Sequence, residues 1–298
     1  MHASILATFV ELPRAPIMCS AGLLIILIAL WAAKSDIAEA RGLDKIVALA
    51  NLCFAAPLAV FGAEHFTDAR SIMQGVPSYM PWHLFWTYFV GCALLSASLS
   101  IATKTQVQWS GLLFGIMMFL FVAMMDIPGT AADPKNRISW ALMLREMSFG
   151  SGGWLLAASA MHWEGKSKLI TLSRIVLGIT SIFYGVEHFL HPANVPVVPL
   201  EKLLPAWIPA HMLISYLTGA ILVTAGVSIL LAKKTRMAAT YLGAWIVLLV
   251  VFVYGPILIA ALGAPSADVK VEGINYFFDT LLFAGTILAL AGATPKTD

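Results

Sequence analysis

The sequence predicts an all-α, polytopic membrane protein: two parallel four-helix transmembrane bundles related by internal duplication, plus one extra N-terminal helix. Three observations carry that prediction. The 298-residue chain is 60% hydrophobic and only 11% charged, with a mean hydropathy of +0.86, whereas soluble domains carry about 25% charged residues. Its apolar residues gather into runs long enough to cross a bilayer. A polar motif at the end of one run, FGAEHF at 61–66, returns as YGVEHF at 184–189.

Nine apolar runs are expected to form helices, at 17–34, 46–64, 82–103, 109–127, 139–161, 170–189, 208–232, 237–262 and 273–292. Each is near the roughly 20 residues that span the hydrocarbon core. Backbone groups cannot stay unpaired in lipid, so the runs are helical rather than irregular, and they are too long for barrel strands. Short connectors carry turn formers: Pro128-Gly129, Asp133-Pro134, His191-Pro192 and Ala264-Pro265-Ser266. The first run is not expected to be a cleavable leader, because the stretch near Gly22–Ala33 has no clear small-x-small exit. Cys19, Cys53 and Cys92 form no CxxC pair and lie in or beside apolar runs, which excludes a disulfide framework.

Lys and Arg set the expected orientation. With the N-terminus outside and nine spans, the C-terminus is cytoplasmic; eleven of the 18 basic residues then lie inside and seven outside, with Lys233, Lys234 and Arg236 on the favoured side. If the first run does not span, the remaining eight keep this orientation. The net charge of +2 is too small to imply a nucleic-acid partner. The partner expected for this composition is the lipid bilayer.

The repeat extends beyond the EHF motif. Met80-Pro81-Trp82-His83 matches Ile208-Pro209-Ala210-His211, Tyr88 and Gly91 match Tyr216 and Gly219, and Pro128 matches Pro256, each 128 positions on. The EHF motifs are 123 apart, so five residues of drift fall in the connector after them. The expected units are 1–42 (extra helix and connector), 43–165 and 166–298. Four helices return the chain to its starting side, so the units run parallel, related by a pseudo-twofold along the membrane normal.

Polar residues then converge at one depth. Glu64, His65 and His83 meet at the outer face of the first unit, and Glu187, His188 and His211 at that of the second. The fourth helix of each unit brings Arg145 and Glu146, or Asp279, roughly 10 Å below that face at 1.5 Å per residue. Ionisable groups at membrane depth are costly and usually face a bundle interior. One outward-opening pocket per unit is therefore expected. Simpler roles fit the same residues: a histidine at a helix C-terminus is favoured by the dipole, Pro-x-His starts a helix, and Arg145 can pair with Asp126 or Glu146. The histidines and carboxylates have no metal-specific spacing, so no metal is expected. No nucleotide loop, serine elbow or HExxH motif is present.

The second unit carries a family resemblance. SRIVLGITSIFYGVEHFL (173–190), LPAWIPAHMLISYLTGAILVTAGVSIL (204–230) and INYFFDTLLFAGTILAL (274–290) resemble the helices of the DoxX-like membrane proteins, with their Arg, Leu-Gly, Gly-x-x-His-Phe and Asn-plus-acid pattern. The usual member is one four-helix unit; here the first unit matches more loosely and shows no clear counterpart to Arg174. The resemblance implies a bacterial inner-membrane protein and nominates Arg174, Glu187, His188, Asn275 and Asp279. Some relatives are the membrane subunit of a thiosulfate:quinone oxidoreductase, and others are linked to redox defence. The expectation that follows is a quinone-linked redox subunit. His188 or His211 would bond or protonate a quinone oxygen, and Glu187 or Asp279 would relay the proton. Glu64, His65, His83, Arg145, Glu146, Arg174 and Asn275 would complete the binding groups. Quinone is the one cofactor implied. Electrons would come from a soluble or membrane redox partner or an inorganic sulfur donor. Two rivals remain: a small-solute or lipid binding or transport protein, and a non-catalytic scaffold.

Overall fold

The computed structural model describes residues 13–162, 164–197 and 202–296. Among them are nine long helices and no strand, with one isolated bridge between Asn194 and Leu203. We label them α1 (Arg14–Glu39), α2 (Asp44–Thr67), α3 (His83–Ala102), α4 (Val107–Ala132), α5 (Arg137–Ala160), α6 (Lys166–Leu190), α7 (His211–Leu230), α8 (Thr235–Leu262) and α9 (Ala267–Ala293). All but α5 are long and apolar enough to cross a membrane. The sequence led us to expect nine such spans. The exception, α5, has the length, but Ser, Gly, Arg145 and Glu146 lower its hydropathy. Its polar groups are met by other helices rather than by lipid, as described below.

Ion pairs show which helix ends lie together. Arg14, at the start of α1, bonds Asp68 just after α2 at 3.1 Å and lies 3.6 Å from Asp268 at the start of α9. Arg137, at the start of α5, bonds Glu187 near the end of α6 at 2.9 Å. This is the EHF end. At the opposite end Lys104 pairs with Asp36, and Arg236 bonds Asp44 at 2.6 Å and the carbonyl of Ala291 at 2.7 Å.

Packing runs in sequence order around a ring, α2 to α9, and α9 closes it against α2. Inside the ring α5 and α9 also touch each other, and α1 lies outside, against α2 and α9. The burial follows: the apolar windows of α9 and α2 are 78% and 67% buried, against 28–44% for the other candidate spans. Small residues permit the approach, as expected where lipid offers no hydrophobic drive. A Cβ at Gly285 would lie 2.6 Å from the backbone nitrogen of Phe54, so only glycine lets α9 rest on α2 there.

Backbone irregularities recur at one separation. Trp82, Lys104 and Gln106 are left-handed non-glycine residues, and so are Ala210, Ala232 and Lys234, each 128 positions on. Segments of π-helix at Val122–Asp126 and Val250–Tyr254 precede Pro128 and Pro256. Proline lacks the N–H its helix would use, and widening the preceding turn accommodates it. Pro81 and Pro209 lie before their helices rather than in the first turn, with the left-handed residue between.

Candidate functional site

At the EHF half of the ring, α2, α3, α4, α5 and α9 leave a partly open cleft of about 520 Å³. Phe61, Leu94, Phe114, Met118, Phe121 and Phe149 wall it with apolar surface. Six of the residues nominated from sequence line it: Glu64, His65, Arg145, Glu146, Asn275 and Asp279. Four come from the first unit and two from the second. The expectation of one pocket inside each unit therefore gives way to one cleft that the last helix of the second unit completes.

Each polar side chain is held by a specific contact. His65 lies one turn after Phe61, whose carbonyl accepts its Nδ1–H at 2.7 Å. That leaves Nε2 to the cleft, with no partner among the described residues. Gly91 makes room for this ring: a Cβ there would come within 2.9 Å of the Cβ of His65. Glu64 Oε1 accepts from Asn275 Nδ2 at 2.9 Å. Arg145 donates through Nη1 to Asp279 at 3.0 Å and through Nη2 to Glu146 at 3.2 Å. Asp126, the other partner considered for Arg145, is not bonded to it and has a buried, unpartnered Oδ2. Asp279 lies twelve residues inside α9, about 18 Å along it, because the helix begins at Ala267 rather than near 273. The acids and the arginine thus reach well into the bundle, where an isolated charge would be very costly and mutual pairing offsets the penalty.

The matching place in the second half is filled. The connector after the second EHF motif carries the five extra residues. Two backbone bonds join its described stretches: Val195 N–H bonds Lys202 O at 2.7 Å, and Leu204 N–H bonds Ala193 O at 2.9 Å. Val195, Pro196 and Val197 are buried. The carbonyl of Tyr184 accepts His188 Nδ1–H at 2.5 Å, as Phe61 serves His65, but His188 Nε2 accepts the Val197 N–H at 2.8 Å. Tyr254 Oη donates to the Pro196 carbonyl. Both ring nitrogens of His188 are therefore occupied, and the ring is 1% exposed. A cavity of about 40 Å³ lies on this side, beside Val195 and Tyr254.

The other nominated residues lie elsewhere. Glu187 pairs with Arg137 and, at 3.8 Å, with His191. His83 and His211 open α3 and α7, half-buried and outside the cleft. Arg174 Nη1 donates to the carbonyls of Ile229 and Leu230 at 2.6 and 2.7 Å, closing the end of α7. Its counterpart, missed in the sequence, is Asn51, which stands 123 positions earlier and donates to Ile101 O at 3.2 Å. Glu272 and Tyr276 were also missed as lining residues. The signal was there: 272, 275, 276 and 279 share one helical face at i, i+3, i+4 and i+7.

Among the described residues no group of three His, Cys, Asp or Glu could hold a metal ion. Comparison with protein-family models, with curated proteins and with solved structures found no match to this chain.

Proposed function

We propose that this chain is a tandem DoxX-like protein of the bacterial inner membrane whose cleft binds the headgroup of a quinone-class molecule. Eight spans by length and hydropathy support the membrane setting. The duplication is supported by the paired EHF motifs and by the left-handed residues and π-segments recurring 128 positions apart. The family reading rests on the motifs of the second unit.

The observation that carries the ligand class is the cleft itself. It sets one free imidazole nitrogen and a cluster of acids, amide and arginine against aromatic and aliphatic walls. A quinone headgroup needs polar contacts at its ring oxygens and apolar contact along its tail. In this reading His65, rather than His188 or His211, meets a ring oxygen. Glu64 and Asp279 exchange protons, and Arg145 aims Asp279 by its hydrogen bond. The second half, with His188 tied to Val197, is structural. Electrons pass to or from a partner subunit or an inorganic sulfur donor, so the chain is the membrane subunit of a redox pair. The N-terminus is outside and the C-terminus cytoplasmic.

The acid-rich lining favours one rival, binding of a small organic cation by Glu64, Glu146 and Asp279. One experiment separates the two. The protein is extracted in mild detergent and its bound small molecules are identified by mass spectrometry. We expect a stoichiometric quinone in the wild type that is absent from a folded His65→Ala/Glu64→Gln double variant. A folded wild type without quinone overturns the reading, and a co-purifying amine moves it to solute binding.

A further inference from the structure

The two copies of the EHF motif place the same imidazole in two situations. In each, Nδ1–H is given to the carbonyl one turn back, at 2.7 Å for His65 and 2.5 Å for His188. This fixes the neutral tautomer, with Nε2 as a hydrogen-bond acceptor. His188 Nε2 is satisfied by a donor from the chain's own loop, the Val197 N–H. That loop acts as a built-in occupant of the second half, and its chemistry shows what an imidazole in this setting requires. His65 Nε2 has the same electronic character, has no partner among the described residues, and belongs to a residue that lines the open cleft.

The rest of the cleft has the same polarity. Each terminal nitrogen of Arg145 donates once, to Asp279 and to Glu146, and Asn275 Nδ2 donates once to Glu64. Asn275 Oδ1 is an acceptor with no partner. Arg145 Nε is a donor that is likewise buried and without a partner.

We infer that the ligand of the cleft is a hydrogen-bond donor at His65 Nε2, so that the site takes the hydroxyl form of its ligand, a quinol, in preference to the carbonyl form, a quinone. This rests on the quinone-class reading above and adds the redox state that is bound. A quinol hydroxyl donates to His65 Nε2 without any group changing protonation. A quinone carbonyl gains a partner at His65 only if the imidazole is first protonated.

The test compares affinities of the purified protein for decyl-ubiquinol, held reduced under anaerobic conditions, and for decyl-ubiquinone. A hydrogen bond kept in one form and lost in the other is worth about tenfold in Kd. We expect the wild type to bind the quinol about tenfold or more tightly, and His65→Phe to abolish that preference. His65→Gln, whose amide either donates or accepts, should bind both forms with nearly equal affinity; it carries the test if His65→Phe does not fold. Equal or tighter quinone binding by the wild type overturns the inference and leaves the quinone-class reading intact. Binding of neither form overturns both. A quinol preference that survives in His65→Phe and His65→Gln overturns the role given to His65.

Discussion

Arg145 on α5 and Asp279 on α9 stand 134 positions apart in the chain and meet at 3.0 Å inside the ring. This contact joins the last helices of the two halves and forms one wall of the cleft. It also explains how α5, the least apolar long helix, is accommodated: its charged residues have partners on a neighbouring helix. Breaking such a pair from one side leaves a charge stranded. Arg145→Ala should cost about 3–5 kcal/mol, because Asp279 and Glu146 then lose their counter-ion. The double variant Arg145→Met/Asp279→Leu should recover part of that loss. Thermal unfolding of the detergent-solubilised proteins in a double-mutant cycle checks this. Additive losses would show that the two side chains do not interact.

The ends of α3 and α7 make a matched comparison. Arg174 closes α7 with two bonds to carbonyls, and Asn51 closes α3 with one. Orphan carbonyls at a helix end need a donor, all the more where water is excluded. Arg174→Ala should destabilise by about 1–3 kcal/mol and Asn51→Ala by about 1 kcal/mol. Arg174→Lys, with a point donor in place of a fork, should fall between wild type and alanine. Chemical denaturation in mixed micelles gives all three values. An Arg174→Ala protein as stable as wild type would remove the capping role.

The apolar runs were legible as helices because bilayer thickness and apolar run length are strong constraints on sequence. The convergence of Glu64, His65, Arg145, Glu146, Asn275 and Asp279 was legible as a common depth, but not as one cleft. Which fourth helix faces which first helix depends on ring order, and no residue pattern encodes that. The same limit hid Asn51, since asparagine and arginine share no side-chain shape yet both reach a carbonyl. The five-residue drift after the EHF motif was visible, but its meaning was not. Only the fold shows that Pro196 and Val197 of that connector meet Tyr254 and His188 in the second half. His188 was favoured over His65 because the second unit matched the family pattern better, yet the copy with the stronger pattern is the one whose ring is already satisfied.

The proposed orientation is open to a direct check at the two ends of α8. Lys233 and Ser266 are both exposed and flank this helix. In a background with the native cysteines replaced, Ser266→Cys should react with an impermeant maleimide added to intact cells. Lys233→Cys should react only after lysis. The reverse pattern would invert the topology, and labelling of both in intact cells would mean that α8 does not span.

The twin histidines yield the sharpest contrast, because one substitution at equivalent places should have different consequences. His188→Phe removes the acceptor of the Val197 N–H, a buried group with no water to turn to. An orphaned buried donor costs about 1–3 kcal/mol. Val197 is itself left-handed at φ 71, an unfavourable conformation for a β-branched residue. The loop should therefore release once that bond is gone. His65→Phe loses only a bond to its own helix carbonyl, which the helix already satisfies, so its stability should change by less than about 1 kcal/mol. The pair of melting curves tests stability, and hydrogen exchange at Val197 tests the loop: protection should fall in His188→Phe and persist in His65→Phe. Equal destabilisation by the two substitutions would mean that His65 is as fully bonded as His188, and the cleft would lose its free nitrogen.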